Sequence, residues 1–160
     1  MSDNRVYIDA LKRSLKKKVS LLSEIDLQNR KQRELLENDH ASVDDFETTM
    51  DEKARLIEEL DKLDEGFDEV FTKVKSELET NKSQYKDDIA FLQEYIRIIM
   101  DKSTLIQTQE RMNKELFEKK AVSVKAEKKT LSTNMKVADS YYQNMMKMNF
   151  VDPQFLDQKH

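Results

Sequence analysis

The sequence predicts an all-α protein: an elongated antiparallel bundle or coiled coil of three long helices, followed by a C-terminal amphipathic helix or mobile tail. Three observations predict it. One glycine and one proline in 160 residues leave almost no turn formers, whereas hairpins and α/β units need such residues every ten or so positions. Charged and apolar residues each make up 38% of the chain, a balance that suits long helices better than a thick globular core. Apolar residues recur on alternating steps of three and four, the period of a helix face.

The first helix is expected over residues 4–37. Ile8, Leu11, Leu15, Leu22, Ile25 and Leu36 carry its stripe, and Lys18, Asn29 and Gln32 occupy the same stripe. Polar residues on a seam lower stability but fix register, so this is a coiled-coil-like face with specificity built in. The run from Asn38 to Ser42 interrupts the pattern. Ser42, with Asp45 three residues on, has the form of a capping box.

A second helix is expected over residues 43–80. Its stripe is Phe46, Met50, Ile57, Leu60, Phe67, Phe71, Val74 and Leu78, with Lys53 and Asp64 as polar exceptions. Gly66 lies inside it, at about 1 kcal/mol relative to alanine, so either a neighbouring backbone passes close or the helix bends. The cluster from Thr80 to Ser83 marks the next turn, although helices two and three can also be read as continuous.

The third helix is expected over residues 84–134, through Ile89, Leu92, Ile96, Ile99, then Leu105 or Ile106, Met112, Leu116 and Phe117, with Tyr85 and Tyr95 flanking. Its last part turns basic. From Glu37 to Glu69 there are 14 acids against 3 bases, and from Lys119 to Lys136 there are 6 bases against 1 acid. In an antiparallel hairpin the acidic start of helix two meets the basic end of helix three. The same logic sets Arg5, Lys12, Arg13, Lys16, Lys17 and Lys18 near Glu77, Glu79, Asp87 and Asp88. Exposed pairs are individually worth little, so the pattern bears on orientation, not stability.

Several function classes lose their footing in the composition. The absence of cysteine removes disulfides and thiolate metal sites. The start has no uninterrupted apolar signal region and no stretch approaches the roughly 20 apolar residues of a membrane span, so a cytoplasmic chain without membrane insertion is expected. A net charge of -4 argues against nucleic acid as the main partner. An enzyme is not expected. There is no cysteine nucleophile and no glycine-rich phosphate loop, and the only histidines, His40 and His160, fall in an interhelical turn and at the last position. Glu37 and His40 have the spacing of a di-iron carboxylate motif, but such sites need a second copy and two further glutamates, so neither a metal nor another cofactor is expected.

The last twenty residues differ from the rest. The window from Tyr141 to Phe155 holds three of the eight methionines and four of the twelve Phe and Tyr residues. Large, adaptable side chains concentrated near a chain end usually form a binding surface. Val137, Tyr141, Met145 and Met148 follow steps of four, four and three, with Ala138, Tyr142 and Met146 one residue around, which is an amphipathic helix face. Asp152 and Pro153 end it, and Phe155 and Leu156 offer a further anchor. The chain therefore divides into a bundle, 1–136, and a C-terminal segment, 137–160. The segment packs on its own bundle as a fourth helix or meets a partner helix. Four or five anchors at about 1.5 to 3 kcal/mol each, less the cost of ordering and association, leave a grip of about micromolar strength.

Three stretches, Asp51 to Phe71, Ser103 to Lys119 and Ala138 to Lys159, resemble the FlgN-like flagellar export chaperones. Together with the helix periods the likeness covers most of the chain, in texture rather than in any chemical motif. The resemblance implies a small cytoplasmic helical protein that binds unassembled hook-filament junction proteins, prevents their premature assembly and presents them to the flagellar type III export apparatus. It also implies that the C-terminal region holds an amphipathic C-terminal segment of the client. Carried onto this sequence, that role falls to Val137, Tyr141, Tyr142, Met145, Met146, Met148, Phe150 and Phe155. A monomer or weak dimer follows from this reading. Two alternatives stand beside it: a FliT-like chaperone for the filament cap, and a self-associating structural coiled coil or adaptor.

Overall fold

The computed structural model describes residues 2–120. Three helices fill that span: α1, Ser2–Glu37; α2, Val43–Thr80; and α3, Lys86–Lys120. At about 1.5 Å per residue each is a rod of roughly 50 Å. α1 lies between the other two and packs along both. Lys18 meets Asp64 and Gln32 meets Met50, two pairs that share one index sum, so α1 and α2 run antiparallel. Arg5 meets Asp88 while Asn29 meets Gln109, which sets α1 and α3 parallel. Lys53 with Glu110, and Phe46 stacked on Phe117 at 5.3 Å, close the antiparallel relation of α2 and α3.

Both chain reversals are made without a positive φ among the described residues. In the first, Asn38 N–H donates to Leu35 O, Ala41 N–H donates to Asn38 O, and the Asn38 side chain accepts from His40 N–H. Ser42, in an extended conformation, then caps α2 by accepting from Asp45 N–H at 3.1 Å. Asp44 and Asp45 add negative charge to the first turn, where the helix dipole favours it. In the second reversal Asn81 ends α2 and its carbonyl accepts from both Gln84 and Tyr85 N–H. Asn81 Nδ2 donates to Glu77 Oε2 at 2.7 Å, so this side chain braces the turn. Helices two and three are therefore separate, and α3 begins at Lys86 rather than at residue 84.

The seam residues expected for α1 and α2 are buried, including the polar Lys18, Asn29, Gln32 and Lys53, except Asp64, which stays partly exposed where it meets Lys18. Leu21, Thr49 and Leu56 join them from a neighbouring position. On α3 the seam runs through Ile89, Leu92, Ile96, Ile99, Ser103, Ile106, Glu110, Asn113 and Phe117. Of the two residues left open for the seam, Ile106 is the core residue and Leu105 is exposed; one expectation changes, since Met112 is exposed while Asn113 takes its place inside. The strict four-three alternation carries the seam from Ile106 through Glu110 and Asn113 to Phe117, and a polar residue is kept there because polar partners wait on α1 and α2.

Gly66 makes no close backbone approach. A Cβ built on it would meet nothing within 4 Å.

Candidate functional site

All eight residues expected to bind a partner, Val137, Tyr141, Tyr142, Met145, Met146, Met148, Phe150 and Phe155, lie outside the described residues, as does the end of the third helix expected at residue 134. Within residues 2–120 three arrangements of side chains stand out, and each grows from the heptad register.

The first is a polar layer across the bundle. Lys53 Nζ donates to Glu110 Oε1 and, at 3.1 Å, to Gln32 Oε1. Gln32 Oε1 also accepts from Asn113 Nδ2 at 3.4 Å, and the same Asn113 amide donates to the Asn29 carbonyl at 3.0 Å. Asn29 Nδ2 in turn donates to Gln109 Oε1 at 3.0 Å, and Gln109 passes a hydrogen bond to Asp26. Lys53 is 1% exposed and Glu110 3%. Burial pushes the Lys53 ammonium below the ordinary lysine range, against the pull of Glu110. The Lys53 side chain is enclosed by the bundle and paired with Glu110. The layer is suited to setting the register of the three helices.

Two further ionic contacts pin the helices. Lys18 Nζ meets Asp64 Oδ1 at 2.6 Å, and burial lowers the Lys18 pKa. Asp61 and Asp68 are raised, chiefly by burial and then by the Asp64 charge. At the far end the Arg5 guanidinium grips both oxygens of Asp88 at 2.9 Å, and Lys12 adds a contact at 2.6 Å. These cations hold the Asp88 carboxyl at about 2. Lys12 and Lys16 also lie over the ring of Phe91, which stacks on Tyr95. The expected meeting of the basic start of α1 with Asp88 is thus observed for Arg5 and Lys12. Lys18 goes elsewhere, to Asp64. At the opposite end Lys120 reaches Asp39 at 3.2 Å, as the threading of an acidic start against a basic end requires.

The third arrangement is a second apolar stripe on α3. Phe91, Ile98, Leu105 and Met112 recur every seven residues, so they share a face beside the core seam. Phe91 and Ile98 are half-buried, whereas Leu105 is 50% and Met112 39% exposed. The ambiguity between Leu105 and Ile106 has its origin here, because both belong to real stripes. The signal was present in the sequence as a seven-residue repeat parallel to the seam.

His40 is exposed in the α1–α2 turn, and no group of three or more potential metal ligands occurs among the described residues. No helix among them is long and apolar enough to cross a membrane. The chain matches no family model, no characterised protein and no solved structure.

Proposed function

We propose that this chain is a cytoplasmic, non-enzymatic export chaperone of the FlgN-like kind, which captures a helical segment of an unassembled hook-filament junction protein and releases it to the flagellar type III export apparatus. The observation that supports it best is the exposed apolar stripe on α3 together with the apolar residues that follow it in the sequence. Leu105 and Met112 stand exposed on α3, and the sequence adds Val137, Tyr141, Tyr142, Met145, Met146, Met148, Phe150 and Phe155 beyond it. A methionine-rich, aromatic segment suits reversible capture of an amphipathic helix. The stretches that resemble the family, Asp51 to Phe71 and Ser103 to Lys119, fall on α2 and α3 of an all-α bundle.

Co-purification tests the proposal. The full chain and a chain ending at Lys136 are each mixed with hook-junction and filament-cap proteins. Capture of a junction protein by the full chain alone supports the reading. Equal capture by both chains moves the site off residues 137–160, preference for the cap protein favours the FliT-like alternative, and capture of neither sinks the proposal.

The exposed Leu105 and Met112 also favour a second reading, a coiled coil that associates with itself through α3. Light scattering against concentration separates the two, since a tight dimer at micromolar concentration belongs to the second alone.

A further inference from the structure

The apolar core of the bundle is not continuous. Nineteen buried residues, from Ile8 through Leu60 to Ile106, form one cluster, and Leu36, Phe46, Met50 and Phe117 form another. The polar layer of Asn29, Gln32, Lys53, Glu110 and Asn113 lies between them. The interruption falls at one level on all three helices. On α1 the seam has no buried apolar residue between Ile25 and Leu36, and on α3 none between Ile106 and Phe117, a gap of about 16 Å in each case at 1.5 Å per residue. On α2 Lys53 alone fills the interval between Met50 and Leu56.

From this geometry we propose that the end of the bundle below the polar layer, residues 33–52 with residues 114–120, opens as a unit while the rest stays folded, with the layer as its hinge. Four features of the described residues carry it. The lower end has about one buried apolar side chain per seven residues, against about one per four above the layer, and sparse apolar contact is what lets a segment open locally. The layer itself is joined by hydrogen bonds and one ion pair, which water replaces when the helices part, so separating it forfeits little of the apolar attraction that holds the upper cluster. Asn29 Oδ1 is buried with no donor within reach among the described residues, and opening hydrates it. The lower end also contains the α1–α2 reversal, whose residues 38–40 and 42 are exposed. Opening bares Leu36, Phe46, Met50 and Phe117 at the Lys120 end of α3.

Native-state hydrogen exchange on the full chain, at denaturant concentrations below the main transition, tests this without any partner. The amides of Leu36, Met50 and Phe117 are expected to open on the order of 100-fold more often than those of Leu11, Leu60 and Leu92, with a smaller dependence on denaturant. Equal opening and equal denaturant dependence at both ends would overturn the proposal. A Lys53→Met, Glu110→Leu double variant joins the two clusters with apolar side chains, and should slow opening of the lower end by about tenfold while leaving the upper end unchanged. A folded double variant with unaltered lower-end exchange would remove the layer as the hinge. Should that variant fail to fold, a Gln32→Leu, Asn113→Leu variant makes the same comparison. Because the chain alone is measured, the result is independent of whether it serves as a chaperone.

Discussion

Lys53 and Glu110 face one another inside the bundle as an ion pair between α2 and α3, each with almost no contact with solvent. Neither stands alone, since Gln32 takes a second hydrogen bond from the lysine. Removing one charge leaves the other buried with its partner gone. Lys53→Ala and Glu110→Ala should each destabilise the fold by about 3–5 kcal/mol, whereas replacing both by apolar residues of similar size should be neutral or stabilising. Chemical denaturation of the single and double variants checks this, and additive losses in the double variant would contradict it.

Gly66 makes the opposite prediction. It lies inside α2 with open space around the position of a Cβ. Gly66→Ala should therefore stabilise by about 0.5–1 kcal/mol through helix propensity and a less free unfolded chain, read as a rise in Tm. A fall in Tm would mean that α2 needs glycine there for a reason other than space.

Asp88 ties stability to acid pH. Its folded pKa, about 2, lies below the ordinary carboxylate value of 3.8 because Arg5 and Lys12 favour the charged form. A depressed acid stabilises the fold above its unfolded pKa and loses that contribution as pH falls through the folded value. Stability should therefore decline between about pH 4 and pH 2, and Asp88→Asn should flatten this part of the profile. Tm against pH for the two proteins gives the comparison, and identical slopes would remove Asp88 as the cause.

Leu105 and Met112 are placed to be replaced without harm to the core. Leu105→Ser with Met112→Ser should leave stability within about 0.5 kcal/mol, as surface substitutions usually do. If the α3 stripe is an interface, the same variant lowers the apparent mass in light scattering. Unchanged association would assign any dimer to a different face.

Much of the fold was legible because α1 and α2 keep an unbroken helix period. Ile8 to Leu36 and Phe46 to Leu78 fall inside as their spacing requires, and Ser42 caps the helix that its pairing with Asp45 announces. Lys18, Asn29, Gln32 and Lys53 were recognisable as polar seam residues, but not their partners across the bundle. Spacing places a residue along its own helix, whereas the relative register of two helices depends on packing and on both turns. α3 was harder to read because two apolar stripes run side by side, which put Met112 on the seam in place of Asn113. Glu110 gave no sign of burial, since a glutamate on a charged helix ordinarily faces water. The proposed binding residues from Val137 to Phe155 were legible as an amphipathic pattern and lie outside the described residues.

The parallel course of α1 and α3 gives the molecule two unlike poles. The N-terminal turn of α1 sits with Asp88 at the start of α3, while Lys120 sits with Asp39 about 50 Å away along the rods. A tag or tether attached ahead of Ser2 therefore rides at the opposite pole from Lys120. Immobilised by that pole, the bundle acts as a spacer that holds the Lys120 end of α3 clear of the surface, which is the orientation to choose for any capture assay.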